Sequence, residues 1–300
     1  MIDENPYAVQ EAGAAHDVVV TDQVVELLPE PVMQGIGRGL GWIGAGFSDF
    51  KNGPWLFIPF LLLLFFASVV VSFGTSLASL FDPAFGMIVN VGGSLATNLL
   101  VILATAGFLT AVRRGRARGA IRFEDFFAGF SHPRLGSLVG ILGVYALLGL
   151  VMMLVLLGAF LAVFGADDLT RMIAVFTDPT TIALGLGPSW MTDPEALDPT
   201  IFMVVGVVGG TVGVVVAMLF FFATHLVTFT ELGVFEALKW SFVGCLKNVL
   251  PLTLWSVAAV LLVFAGAMLC GLGLFVAIPV LWASTYQAFL DIYTTEGAEG

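Results

Sequence analysis

Of the 300 residues, 59% are hydrophobic, more than the roughly 45–50% of soluble domains, and a mean hydropathy of +1.02 excludes a chain that hides its apolar surface from water. The 22 acidic residues outnumber the 11 lysines and arginines, and the net charge of -11 argues against nucleic acid as a partner. Cys245 and Cys270 lie in or beside apolar stretches, too few and too poorly placed for a disulfide framework or a thiolate metal site.

The first segment, 1–30, is acidic and polar and lacks the charged-then-apolar start of a secretory signal. It reads as a mobile cytoplasmic tail. Six glycines follow between Gly35 and Gly46. Gly39, Gly41 and Gly44 satisfy G-x-G-x-x-G, but the preceding strand that a dinucleotide site needs is missing. Close packing or a flexible entry to the first span is the expectation. Leu40, Ile43, Phe47 and Phe50 are spaced as the apolar stripe of a short helix, closed by Lys51 and Pro54. A first span is expected at 55–80, since a crossing takes about 20 apolar residues.

The second span is expected at 85–112 and carries Asn90, Ser94, Thr97 and Asn98 on roughly one face. Amides in hydrocarbon need partners, so this face predicts interhelical hydrogen bonds or a polar substrate path. Directly behind it stand Arg113, Arg114, Arg116, Arg118 and Arg122. They read as a cytoplasmic loop, because cationic loops stay on that side. Phe123, Phe126, Phe127 and Phe130 form a second short apolar stripe before Pro133 and Arg134. Span three, 136–164, shows small residues at Gly136, Gly140 and Gly143.

An outer loop, 165–200, holds Asp167, Asp168, Asp178, Asp193, Glu195 and Asp198, with Asp198-Pro199 suited to start a helix. A divalent-metal site from Asp193, Glu195 and Asp198 is the weaker reading of this loop. Span four, 201–229, carries Gly206, Gly209, Gly210, Gly213 and Ala217, a stripe that lets helix backbones approach closely. Internal packing, with span three as the partner, or contact with a second copy would use it. Thr224, His225 and Thr228 lie near the end of this span, and an ionisable residue inside a span is a functional candidate. A third stripe, Phe235, Leu238, Phe242, Cys245 and Val249, is flanked by Lys239 and Lys247. The block 249–290 is too long for one helix and divides at Gly271-Leu272-Gly273 into 251–269 and 273–292; a re-entrant hairpin would look similar. The second half carries Pro279, Tyr286 and Gln287, and 294–300 forms a cytoplasmic tail.

The whole reads as an all-α polytopic membrane protein, six transmembrane helices with short interfacial helices. One unit (short amphipathic helix, basic residue, two spans) is repeated three times. The short helices should lie in the headgroup plane with the apolar side down, or cover the cytoplasmic end of the bundle. Ten lysines and arginines fall on one side and only Arg171 on the other, which places both termini in the cytoplasm. Trp42, Trp55, Trp240 and Trp255 fall near that same boundary, as interfacial rings should.

GWIGAGFSDFKNGPW (41–55), FEDFFAGF (123–130) and SFVGCLKNVLPL…GLGLFVAIPVLWASTYQAFLDIY (241–293), together with Asn5-Pro6-Tyr7, resemble a family of uncharacterised bacterial inner-membrane proteins, a domain of unknown function. The resemblance covers most of 38–293, with a longer loop at 165–200. It implies a multi-helix fold in the bacterial inner membrane and no particular activity.

No catalytic constellation is visible: His16, His132 and His225 have no nucleophile–acid pair at a readable spacing. No span carries a carboxylate near its middle, where pumps place their coupling residues. The expected function is a non-enzymatic scaffold or accessory subunit of a membrane assembly, without a cofactor. Its neighbours would be the lipid bilayer and a membrane-protein partner or a second copy. The alternative is a transporter of a lipid or small molecule through a cavity between spans two and four, along Asn90, Asn98, Thr224, His225, Thr228, Tyr286 and Gln287.

Overall fold

Long apolar stretches must satisfy their own backbone in lipid, and an α-helix does so within one segment. The computed structural model, which describes residues 24–177 and 199–298, is built that way. Its helices are α1 (Arg38–Lys51), α2 (Pro54–Phe81), α3 (Pro83–Arg118), a 3-10 helix (Phe123–Ser131), α4 (Leu135–Thr177), α5 (Pro199–Phe220), α6 (Ala223–Phe229), α7 (Val234–Lys247), α8 (Val249–Met268), α9 (Leu274–Tyr293) and α10 (Thr295–Ala298). Among the described residues the only β-type pairing is an isolated bridge between Leu27 and Thr294. Among the described residues six stretches are long and apolar enough to cross a membrane: Pro54–Ala78, Phe85–Arg118, Leu135–Gly158, Gly209–Phe229, Val249–Met268 and Leu274–Tyr293. The chain is an all-α, multi-pass membrane protein. α8 and α9 have 20 residues each, about 30 Å of helix, so each is long enough to cross alone. Their connecting turn holds Cys270 and Gly271 at positive φ, +53° and +78°.

Two compact units divide the chain: Met1–Ser72 with Ala96–Ile141 and Met218–Gly300, and Phe73–Leu95 with Leu142–Ala217. In the first, α1 packs across α8 and α9. Gly39 and Gly46 make this crossing: a Cβ on Gly39 would overlap the Pro251 carbonyl, and one on Gly46 the Val280 carbonyl. The 3-10 helix meets α3 the same way, Gly107 against the Phe126 carbonyl and Gly129 against the Leu103 carbonyl. Between these elements Phe57, Phe60, Phe108 and Phe126 are buried. Their rings pack at 4.5 Å (Phe60–Phe126) and 5.4 Å (Phe57–Phe108), and Trp282 closes edge-on to Phe108 at 5.2 Å.

The face that the short helices turn inward coincides only in part with their apolar stripes. In α1 the buried residues are Gly39, Trp42, Gly46 and Asp49, while Leu40 is exposed and Ile43, Phe47 and Phe50 are half-buried. In α7 the inward face is Ala237, Leu238, Ser241, Gly244 and Cys245, and Phe235 is 77% exposed. In the 3-10 helix, Asp125, Phe126 and Gly129 go in and Phe123, Phe127 and Phe130 stay out. Small and polar residues permit the close crossings and hydrogen bonds that hold these elements on the bundle. Trp42, expected at an interface, is fully buried for this reason, whereas Trp55 is 81% exposed.

Four further expectations are corrected. The arginines do not form a loop through 113–122: α3 runs on to Arg118, because acids on neighbouring elements take up its guanidiniums. Span four is not one helix: it breaks at Phe221–Phe222 between α5 and α6. There the Ser241 hydroxyl donates to the Met218 carbonyl at 2.7 Å and accepts from the Phe222 N–H at 2.9 Å, entering the i→i−4 ladder. The last residues of the expected tail are held from Val25 on: Val25 N–H donates to the Phe229 carbonyl, Leu28 to Tyr293 and Val32, just beyond it, to Ile292. The expected outer loop begins later, since α4 continues to Thr177. Asp178, Asp193, Glu195 and Asp198 lie outside the described residues.

In the second unit, Gly206, Gly209, Gly210 and Gly213 of α5 pack against no other part of the described chain: a Cβ on any of them would meet nothing within 4 Å. Ala217 is exposed too. In α4, Gly136 and Gly143 are equally open, and Gly140 faces Val234 instead. A stripe of small residues permits close approach but does not itself supply a partner.

Candidate functional site

Charged side chains persist at membrane depth only when paired, so the buried acids of the first unit locate its polar centre. They are Asp49, Asp125 and Asp291. Asp49, brought in by the glycine face of α1, receives two parallel bonds from Arg116 of α3: Nε to Oδ1 at 2.8 Å and Nη2 to Oδ2 at 2.7 Å. The third branch of the same guanidinium donates to Gln287 Oε1 at 3.0 Å, and Gln287 Nε2 donates to Asp291 Oδ1 at 2.7 Å. Asp291 Oδ2 accepts from Arg38 Nε at 2.7 Å and Trp42 Nε1 at 2.8 Å. One chain of charge-assisted bonds therefore ties α1, α3 and α9 together. Arg116 also lies over the Tyr286 ring at 5.0 Å.

Asp125 forms a second clamp. It accepts from Arg114 at 3.1 Å, Arg118 at 2.8 Å and the Arg122 N–H at 3.2 Å, the last closing a capping box on the 3-10 helix. Arg134 caps the chain after α6, donating to the carbonyls of Thr230 and Leu232. Asn248, fully buried between α7 and α8, holds the N-terminal strap: its amide donates to the Val32 carbonyl at 2.9 Å and its oxygen accepts the Gln34 N–H at 2.7 Å.

Beside the second clamp a cleft of about 410 Å³ opens between the ends of α3 and α6. Thr110, Arg113 and Arg114 line it from α3, Glu124, Phe127 and Ala128 from the 3-10 helix, and Thr228, Phe229 and Thr230 from the end of α6. His132 and Arg134 complete the wall.

The structure distributes the sequence candidates as follows. Gln287 and Tyr286 belong to the Arg116 network. Thr228 lines the cleft, its hydroxyl donating to the carbonyl of half-buried Thr224 at 2.6 Å. His225 is buried beside the Phe222 and Phe289 rings. Its Nε2 lies 2.9 Å from Thr285 Oγ1, whose own hydroxyl donates to the Trp282 carbonyl. His225 Nε2 must therefore carry the proton, and Nδ1 is a buried acceptor with no partner among the described residues. Asn98 is half-buried on α3, about five turns from Arg116. Asn90 is exposed and belongs to the second unit. Of the seven, Thr228 lines the cleft. Arg113, Arg114, Arg116, Arg118 and Arg122, expected as topology signals, each form an ion pair.

Sequence reasoning passed over Asp49, Asp125, Asp291, Arg38 and Asn248. A signal was present: each acid closes a Phe-x-Asp triplet, Phe47-Ser48-Asp49, Phe123-Glu124-Asp125 and Phe289-Leu290-Asp291, and is followed by Phe or Ile. An acid set between large apolar residues will be buried with them and needs a cation. Among the described residues no group of three or more His, Cys, Asp or Glu side chains could hold a metal ion. Comparison with known protein families, curated proteins and solved structures finds no match to this chain.

Proposed function

We propose that this multi-pass membrane protein is a non-enzymatic scaffold or accessory subunit of a membrane assembly, seated in a bacterial inner membrane with both termini cytoplasmic. The supporting observation is the use made of its buried charge. Asp49, Asp125 and Asp291 are each engaged by arginine, and the space between α1, α2, α3 and the 3-10 helix is filled by aromatic rings. Groups committed to holding helices together suit a rigid platform. Phe235, Leu40 and Leu246 on the outer faces of the short helices are exposed and available to lipid or a partner.

Native mass spectrometry of the protein taken into nanodiscs from its own membrane tests this. The expected result is a protein partner at fixed stoichiometry, released by Phe235→Glu with thermal unfolding unchanged. A lone protomer retaining one small molecule, released by Thr228→Val, overturns the reading.

That second result is the mark of the alternative, transport of a lipid or small molecule. One observation favours it: the cleft lies between the ends of α3 and α6, which belong to spans two and four.

A further inference from the structure

Three span ends meet at the arginine-lined cleft. The stretches Phe85–Arg118 and Gly209–Phe229 finish there, and Leu135–Gly158 begins immediately after Arg134. A cleft at span ends lies at headgroup depth, where basic pockets between helices take lipid phosphates. Its volume, about 410 Å³, falls within the roughly 300–1,000 Å³ of small-molecule sites.

The charge is concentrated there against the trend of the chain, whose net charge is -11. Arg113, Arg114 and Arg134 line the cleft against Glu124. When their ion-pair partners among the described residues are included, the balance there is still cationic: Arg118 and Arg122 join the arginines, Asp125 and Glu296 the acids, five against three. Glu124 is engaged by Arg122, and both are exposed. Arg134 is held by two backbone carbonyls, which aim the guanidinium without cancelling its charge. These carbonyls take two of its five N–H donors. Arg113 lies over the Phe229 ring at 5.3 Å, and its carboxylate partner, half-exposed Glu296, is 3.8 Å away. Thr110, Ser131 and Thr230 add hydroxyls to the wall. Phe127 lines the cleft, and Phe123 and Phe130 expose their rings on the same 3-10 helix, as aromatic residues do at a membrane interface.

We propose that this cleft binds the phosphate of an anionic ligand, and that its position at the span ends makes a phospholipid headgroup the occupant. The site does not depend on the scaffold reading. A soluble phosphate offers the same chemistry, so the test separates the two sources.

The experiment is native mass spectrometry of the full-length protein in micelles, titrated in parallel with phosphatidylglycerol, phosphatidylcholine and inorganic phosphate. Phosphatidylglycerol is expected to be retained at least fivefold over phosphatidylcholine. Ala128→Trp keeps every charge and fills the cleft that Ala128 lines; it should reduce the preference below twofold. Lys239→Gln removes an exposed charge on α7 that does not line the cleft and should leave the preference unchanged. Thermal unfolding identifies folded variants, and if Ala128→Trp does not fold, Arg113→Gln replaces it with the same expected loss. The proposal is overturned if the parent retains no phosphate and makes no distinction between the lipids. It is equally overturned if the preference survives filling of the cleft, or falls as far in Lys239→Gln. Retention of inorganic phosphate without lipid preference, abolished by Ala128→Trp, supports the anion site and assigns it to a soluble source.

Discussion

Arg116 holds Asp49 through two parallel hydrogen bonds of 2.8 and 2.7 Å, joining residues 67 positions apart in sequence. The pair fastens α1 to the end of α3, and the third branch of the guanidinium extends the connection to α9 through Gln287. Breaking a buried pair costs about 3–5 kcal/mol. Here the Arg116 side chain is 29% exposed, which places Asp49→Asn at about 2–4 kcal/mol after screening. Arg116→Lys should destabilise in the same direction, because an ammonium cannot serve both Asp49 oxygens and Gln287 in one plane. Thermal unfolding in detergent reads both, and an unchanged midpoint for Asp49→Asn would show that the pair contributes nothing.

The glycines of 35–46 should separate sharply. Gly39→Ala and Gly46→Ala drive a Cβ into backbone carbonyls of α8 and α9, an overpacking that costs roughly 1–3 kcal/mol or more. Gly41→Ala and Gly44→Ala meet nothing within 4 Å and should gain up to about 1 kcal/mol from helix propensity. A shared response of all four would mean that α1 does not cross α8 and α9 as described.

Ser241 serves both ends of the ladder bond lost where span four breaks. Ser241→Ala should leave the Phe222 N–H and the Met218 carbonyl without the hydroxyl that serves them, at about 1–3 kcal/mol. Hydrogen exchange at the Phe222 amide is the direct readout. Retained protection in the variant would show that the break forms without Ser241.

Burial pushes the Cys245 thiol up to about 12, opposed by a hydrogen bond with Ser241. The thiol should resist maleimide at pH 8 while exposed Cys270 reacts. Because the folded thiol titrates above the unfolded one, its stabilisation is complete below about pH 9 and is lost as the pH rises towards 12. A Cys245→Ala protein should therefore lose less of its thermal stability between pH 8.5 and 10 than the parent, and equal losses would contradict the buried thiol. The proposed topology, with both termini cytoplasmic, also predicts that an impermeant maleimide applied to the periplasmic face reaches Cys270; labelling only from the cytoplasmic face would overturn that topology.

Part of the site was visible in the residues and part was not. Gln287 and Tyr286 stood out as polar groups in an apolar span, and both sit under Arg116. The arginines stood out by number, but their partners did not. Asp49 and Arg116 are brought together by two helix crossings, and no local spacing encodes that meeting. His225 was conspicuous as an ionisable residue in a span, yet its environment is a ring cluster with Thr285 as its one hydrogen-bond partner among the described residues.

What the residues determined alone was the class of object and its spans. Stretches with so little polarity have to bury their backbone hydrogen bonds within themselves, and 20 apolar residues suffice to cross a membrane. What only the tertiary structure decided was direction: which face of each helix turns inward and which acid meets which arginine. In water an apolar stripe marks the inner face, because it escapes the solvent. In a membrane, lipid is as apolar as the protein interior, so the stripe Leu40, Ile43, Phe47 and Phe50 has no reason to turn inward. Close approach at Gly39 and Gly46, and the pairing of Asp49, set the orientation of α1 instead.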